Sequence, residues 1–568
     1  MKENAKEKFS RFCAGGVLAL MLGFMAVLAV LSLLGTYSVT TGGGEGEVLS
    51  YGKDNVLLNL LLTAVFLTLL FFASRLFEKV SAKKVTVVLL TWTAILSSAF
   101  VCSAKLQPSQ DAYIINFFAT QAAKGDYSYY HEYFRFFPYQ LGFALYEEIF
   151  YRLFFFLLPS APEGFAGLAM QLLNVLYTAV IFFTLVKISG QIFKSERVEK
   201  ITALLLFFCF QPMLFATFIY GNTPSLCFAV LSVWMYLRFA ENEGTGYAVL
   251  CIVFICLAAL LKLNTLICVV AIGIVWLISI IKKPSFRSAA LLALMIASVL
   301  LLKPLPQKYY EAKMGEELGK GIPQSGWLAM GLHEGQSGPG WYDPTYTATN
   351  FITSDYDPKI SGAEAKKAIS ERLSEFAAVP GDALRFFGKK LGSQWNEPSY
   401  ESLWLNQVNK SYSSSGKLYE LICKDHAETV FAFMNIFQQA VFIAFTAGLL
   451  RLLKKREINA VLLPLVILGA FLYHLLFEAK SQYALGYFLL MIPTAAYGID
   501  CIGGKAELWA SPLGKLSPQR LMRSLPRRVP YTPQETAEIK RKTSSALRAP
   551  SPKGNALSAV WKERSGKT

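Results

Sequence analysis

Charge is the first scarcity in this sequence. Only 17% of its 568 residues are Asp, Glu, Lys or Arg, while 54% are hydrophobic; soluble domains carry about 25% charged residues. That balance excludes a free-standing soluble domain and describes an integral membrane chain. Cysteine is also thin: nine residues, eight of them in or beside apolar runs, with only Cys423 in a long loop and no CxxC. A disulfide framework and thiol chemistry are excluded. The four histidines, three in outer loops and His474 near an outer end, include no pair at ligand spacing. The glycine cluster 42-GGGEG-46 lacks a following Lys-Ser/Thr, so there is no phosphate loop, and nothing else resembles an ATP-binding module. No internal repeat is visible. The net charge of +16 invites comparison with nucleic-acid-binding proteins, but fourteen Lys/Arg against four Glu lie between Lys505 and Lys567. Most of the excess therefore sits in one tail, and nucleic acid is not a partner.

What the sequence has instead is apolar runs near the ~20 residues that cross a bilayer. Spans are predicted at 13–36, 56–74, 85–103, 166–188, 201–219, 224–240, 247–262, 264–281, 288–303, 429–451, 459–477 and 484–501. The pair 247–281 reads either as two short helices turning at 262-KLN-264 or as one kinked element. The first run is a retained helix rather than a signal peptide. Basic residues gather at nearly every second loop, including 74-SRLFEKVSAKK-84, 191-QIFKSERVEK-200, 281-IKKPSFR-287 and 451-RLLKKRE-457, whereas 39–55 and 220–225 are poor in them. The positive-inside rule then places both termini in the cytoplasm. The fold class is an all-α polytopic membrane protein of about twelve spans, with outer amphipathic helices and a large extracytoplasmic loop. Its parts are N-terminal spans (1–103), a first outer loop (104–165), a central bundle (166–303), a large outer loop (304–428), C-terminal spans (429–502) and a basic, disordered cytoplasmic tail (503–568). The apolar segment 139–159 contains Glu147, Glu148 and Arg152 and would invert every later loop if it crossed. It is predicted to lie on the outer surface. Helices are expected near 362–378 and 381–394, and the Trp-containing stretches 326–344 and 395–404 suit the headgroup zone.

Ionisable residues collect at the outer ends of spans: around Asp111, in 130-YHEYFR-135, at 262-KLN-264 and in 477-FEAKSQY-483. Charges at that depth usually face an aqueous cavity or one another. Each also has a plain structural role open to it. Glu478 can pair with Lys480 or Arg135, Lys262 can snorkel to headgroups, and Asp111 can cap the helix that starts at 112. The aromatics of 127-YSYYHEYFRFFPY-139 suit either sugar stacking or an interfacial belt, and the belt is expected for most of them.

These residues resemble the GT-C superfamily of membrane glycosyltransferases, which use polyprenyl-phosphate-linked sugars. The likeness is to protein O-mannosyltransferases and bacterial glycosyltransferase family 39, of a Gram-positive type. It rests on an acid after an early span (Asp111), on a pattern completed by Gly125, Tyr133, Phe134, Pro138 and Gly142 with Phe137 in place of the family's Tyr, and on 478-EAKSQY-483, similar to an E-x-x-S-R-Y element. The resemblance implies sugar transfer to a glycan or lipid-linked acceptor on the outer face of a bacterial plasma membrane, with inversion. Asp111 is then the catalytic base. Lys480, Gln482, Arg135 and Lys262 hold the donor phosphate, and Glu478, His131, Glu132, Tyr139 and Tyr483 support them. Two departures stand out. Gln482 replaces the family's Arg, removing a bidentate phosphate fork. Ala112 replaces the Glu that follows the acid in protein O-mannosyltransferases, which favours a glycan or lipid-linked acceptor. No cofactor is called for; a divalent ion held by Asp111 with Asp126, His131 and Glu132 is left open. The rival reading is a transporter or flippase of lipid-linked intermediates, which would place its ionisable groups near the bilayer midplane.

Overall fold

The computed structural model describes residues 2–42 and 46–510; the basic tail from 511 onward lies outside the described residues. The chain runs α1 (Lys2–Leu34), β1 (Gly35–Gly42), β2 (Gly46–Lys53), α2 (Val56–Leu76), α3 (Ala82–Ala104), α4 (Gln110–Ala123), α5 (His131–Phe136), α6 (Leu141–Leu157), α7 (Glu163–Phe193), α8 (Glu196–Phe207), α9 (Gln211–Leu214), α10 (Asn222–Asn242) and α11 (Thr245–Leu261). It continues through α12 (Leu266–Lys282), α13 (Phe286–Leu302), α14 (Leu305–Met314), α15 (Gln324–Leu332), α16 (Ala348–Thr353), α17 (Pro358–Ala378), α18 (Pro380–Trp395), α19 (Ser402–Val408), α20 (Lys417–Glu420), α21 (Ala427–Lys455), α22 (Leu462–Leu476) and α23 (Ser481–Ala510). Among the described residues ten helices are long and apolar enough to cross a membrane, eleven if α8 and the bent segment after it count as one, and α11 is a shorter apolar helix. The protein is an all-α polytopic membrane protein. The segment 247–281 resolves as two helices, α11 and α12, joined by a tight 3-10 turn at Leu263–Thr265.

Helix α2 turns its polar residues inward and its leucines outward, the reverse of a soluble surface helix. On α2, Leu57, Leu61, Leu69 and Leu76 are exposed while Asn59, Thr63 and Ser74 are buried. Apolar side chains gain nothing by leaving lipid, so packing and interhelical hydrogen bonds decide which face turns inward. Thr63 donates to Gln439 (3.3 Å), and Asn59 and Asn435 both donate to Asp54 (2.9 and 3.1 Å). The span expected at 201–219 is broken by 50°. Pro212 stands in the first turn of α9, a position it favours, and with no N–H it cannot bond back to the end of α8. The carbonyls freed by the break are met from neighbouring helices: Trp92 donates to Phe207 O, Gln171 to Thr217 O, Asn174 to Ala216 O and Phe218 O, and Asn406 to Leu214 O. Irregular backbone survives inside a bundle only on such terms.

Two expectations are corrected. The segment 39–55 is no plain loop: Gly35–Lys53 forms an antiparallel hairpin in register from Gly35↔Lys53 to Gly42↔Gly46. Its β-branched and aromatic residues (Thr36, Tyr37, Val39, Thr40, Val48, Tyr51) favour strand, and the Tyr37 and Tyr51 rings pair across it at 5.1 Å. Three of the four tryptophans in 326–344 and 395–404 are core residues and not part of a headgroup belt. Trp341, Trp395 and Trp404 are buried, with Trp395 stacked on Phe471 at 3.9 Å.

Two glycines of the sequence pattern have structural reasons. Gly125 closes α4 at a φ of +94°, a conformation that disfavours side chains. Gly142 lets the start of α6 sit on the end of α11, because a Cβ there would lie 1.9 Å from Leu260 O. Gln140, two residues earlier, donates to the Tyr220 hydroxyl, and the Lys262 ammonium lies over that same ring.

Candidate active site

A single cavity of about 1020 Å³ is walled by residues from distant parts of the chain, including Glu47, Asp111, Tyr139, Tyr220, Lys262, Glu478, Lys480, Gln482 and Tyr483. Asp111 is the second residue of α4. Ser109 is the N-cap, its hydroxyl bonded to Asn409 and not to the helix. Asp111 is therefore not a cap; it sits in the first turn, where the helix's positive end favours a carboxylate. Gln110, just before it, has a φ of 51°, a left-handed conformation that costs a non-glycine residue on the order of 1–3 kcal/mol. Asp111 is exposed to the cavity, and groups from several distant elements crowd round it there. Burial raises its carboxyl above the ordinary aspartate range, and the pull of Lys480, Lys262 and Tyr133 does not cancel the effect.

The segment between α22 and α23 supplies most of the remaining charge. The Ala479 N–H donates to Gly340 O at 2.8 Å, which ties the segment to the large loop. Lys480 is ion-paired with Glu47 of β2, the two side chains being 15% and 12% exposed. Burial works against the ammonium, but Glu47, Glu401 and Glu478 outweigh it and hold Lys480 above the usual lysine range. Glu478 pairs with neither Lys480 nor Arg135; it accepts from the Tyr483 hydroxyl at 3.2 Å. Burial pushes its carboxyl up to about 7, against the pull of Lys480. Gln482 accepts from the Asn222 amide at 3.1 Å. Beneath them, Ser481 Oγ lies 2.9 Å from Glu401 and 3.1 Å from Glu397, two carboxyls with almost no exposure, and the Gln482 N–H donates to Glu401. Lys262 does not snorkel. Its ammonium lies 4.2 Å from the Tyr220 ring centre and 5.0 Å from that of Tyr483.

Arg135, His131 and Glu132 stand apart from this cavity. Arg135 and His131 both engage Glu316, and Glu132 accepts from Tyr356 (3.0 Å). Asp126 accepts from its neighbour Ser128. Among the described residues no three His, Cys, Asp or Glu side chains converge to hold a metal ion. Within the aromatic stretch, Phe134 is core, Tyr127 meets Glu148 and Arg152, and Phe137 and Tyr139 line the cavity. Sequence reasoning missed Glu47, Glu397, Glu401 and Tyr220. Glu47 had a signal in the strand-like TYSVTT and EVLSY runs flanking the glycines, which would have folded it back over the bundle. Glu397 and Glu401 had none, because nothing local tells a buried loop carboxylate from a solvated one.

Below its polar end the cavity changes character. Leu266, Ile267, Val270, Ala271 and Ile274 of α12 and Leu465, Leu468, Gly469 and Leu472 of α22 line it. Both sets recur every three to four residues, so each is one helix face.

No curated protein matches the chain. Two solved structures of an archaeal oligosaccharyltransferase from Archaeoglobus fulgidus are similar to it. One is AglB in complex with an inhibitory peptide and a dolichol-phosphate (13% identity, TM-score 0.42), the other the apo form (13% identity, TM-score 0.43). Each similarity covers 83% of this chain and 55% of the other, so the chain spans about half the length of the solved structures it matches. Residues 144–302 match the dolichyl-phosphate-mannose-protein mannosyltransferase family, in keeping with the GT-C resemblance; Asp111 and 478-EAKSQY-483 lie outside the matched residues.

Proposed function

We propose that the chain transfers a sugar from a polyprenyl-phosphate donor to an acceptor hydroxyl, with the polar end of its cavity on the extracytoplasmic side. One observation carries this reading: three carboxyls (Glu47, Asp111, Glu478) and three ammonium groups (Lys262, Lys303, Lys480) line one chamber that continues into an apolar groove between α12 and α22. A lipid-phosphate sugar needs both halves, since its isoprenoid chain belongs among aliphatic side chains and its phosphate beside cations. The matched family is named for a donor of this chemistry.

In the proposed reaction the Asp111 carboxylate takes the proton of the acceptor hydroxyl as the acceptor oxygen bonds to the sugar's anomeric carbon. The bond from that carbon to the phosphate oxygen breaks, and polyprenyl phosphate leaves with the electron pair. Attack from the face opposite the phosphate inverts the carbon. Lys480 and Lys262 meet the charge that builds on the phosphate, an electrostatic role that is worth most in a site fixed before reaction. Gln482 supplies a hydrogen bond where an arginine fork is missing. Arg135, His131 and Glu132 have no part in this scheme, being occupied elsewhere.

The orientation is supported by the opposite end of the bundle. There Lys282 meets Glu7 (2.7 Å), Lys283 meets Glu243 (2.6 Å) and Arg197 meets Asp500 (3.3 Å), gathering the basic loops on one side as cytoplasmic loops require. A transport route would continue as polar lining through the bundle, whereas here the lining below the charges is aliphatic.

The test is to incubate the purified protein with radiolabelled polyprenyl-phosphate sugars and measure release of polyprenyl phosphate. Asp111→Asn should lower the rate by about 10²–10⁴-fold while the variant still binds donor and keeps its thermal stability. An Asp111→Asn enzyme at full rate would remove the base, and a wild type inert to every donor would end the reading.

A further inference from the structure

The outer rim of the cavity differs chemically from both its charged centre and its aliphatic groove. Its residues are Phe137, Tyr139, Gln324, Trp327, Gln336 and Tyr342. None is charged. Gln324 and Trp327 stand three positions apart on α15, so they share one helix face. Trp327 is half-buried, its ring centre 6.1 Å from Phe137 and 6.3 Å from Tyr139, while Tyr342, Gln324 and Gln336 are exposed to the cavity.

This rim is held rigidly. The loop after α15 closes on itself through Gly335 N to Gly338 O (3.0 Å) and Gly340 N to His333 O (2.8 Å), leaving Gln336 at the tip of a tight turn. Ser337 donates to Glu47 O at 2.7 Å, and Gly340 O accepts from Ala479 N. The loop is thus bonded to the strand that carries Glu47 and to the segment that carries Glu478 and Lys480. Whatever the rim holds is registered against the reacting groups.

We propose that this rim is a saccharide-binding subsite, and that the hydroxyl presented to Asp111 belongs to a sugar ring of the acceptor. The inference rests on the transfer reaction proposed above. A pyranose has a C–H face that packs on an aromatic ring and hydroxyls around its edge that exchange hydrogen bonds with carboxamides. Trp327 and Tyr342 supply the first kind of contact, and Gln324 and Gln336 the second. A peptide acceptor with charged side chains would call instead for matching charges, and none of these six residues carries one.

Two measurements test it and separate it from the donor reading. Saturation-transfer NMR of the solubilised protein with mannobiose, cellobiose, chitobiose and lactose, without donor, reads the rim alone. At least one disaccharide should receive saturation, and the signal should fall by about tenfold in Trp327→Ala and in Gln336→Ala, with Trp327→Phe recovering part of it. Transfer assays then offer the same disaccharides in competition with Ser/Thr-containing peptides. Trp327→Ala should raise the saccharide KM about tenfold and move donor KM by less than twofold. The subsite is overturned if no disaccharide binds, if binding ignores Trp327 and Gln336, or if peptides are glycosylated while saccharides are not. If disaccharides bind but no polyprenyl-phosphate sugar is consumed, the subsite stands and the proposed donor falls.

Discussion

Asp111 and Lys480 illustrate how one cavity treats opposite charges. Burial raises the Asp111 carboxyl, which makes its carboxylate a stronger base than a surface aspartate but costs it the proton-free form sooner as pH falls. The acid limb of kcat/KM should therefore lie above the ordinary aspartate range, and Asp111→Asn should abolish that limb along with the rate; a pH–rate profile checks both. Lys480 is kept charged by Glu47, its ion-pair partner across the cavity mouth. That same carboxylate competes with an incoming phosphate. Glu47→Gln should lower donor KM by about fivefold, most strongly at low ionic strength where screening is weakest. It should also move the alkaline limb of the profile downward, since Lys480 loses part of what holds its proton. A donor KM indifferent to both Glu47→Gln and salt would exclude Lys480 from phosphate binding.

At the level of elements, the site is assembled by pieces that close over the bundle rather than by the spans themselves. The hairpin β1–β2 delivers Glu47, α4 delivers Asp111 in its first turn, and the Glu397–Glu401 segment anchors the start of α23. Tyr400 and Glu401 both have positive φ (50° and 63°), so the anchor is bought with backbone strain. Burial pushes the Glu401 carboxyl up to about 8, against the pull of Lys480. A carboxyl raised on folding contributes stability below its unfolded value of about 4.3 and loses it as pH rises toward the folded one. Wild-type thermal stability should thus decline between pH 5 and 8, and Glu401→Gln, which keeps the protonated shape, should flatten that decline. An unchanged slope in the variant would show that Glu401 is ionised throughout.

For the molecule as a whole, the two-sided cavity makes chain length a variable. Ile274 lies on the groove face of α12, about two turns below Leu266. Ile274→Trp should raise the KM of long polyprenyl donors by at least about tenfold and leave short-chain analogues nearly untouched; equal effects on both would mean the lipid lies elsewhere. The sequence by itself determined that the chain crosses a membrane many times, because hydropathy is local and every span must satisfy its backbone within one helix. Asp111, Lys262, Glu478, Lys480 and Gln482 were also legible there, since polar residues are rare enough at span ends to stand out. Tertiary structure alone decided which of them meet. Arg135 and His131 stood in the same charged stretch as the rest, and the fold turned them onto Glu316. Glu47, more than 400 residues from Lys480, became its partner. Contacts between such distant residues depend on how helices and outer segments pack in three dimensions, and no local period or composition records that.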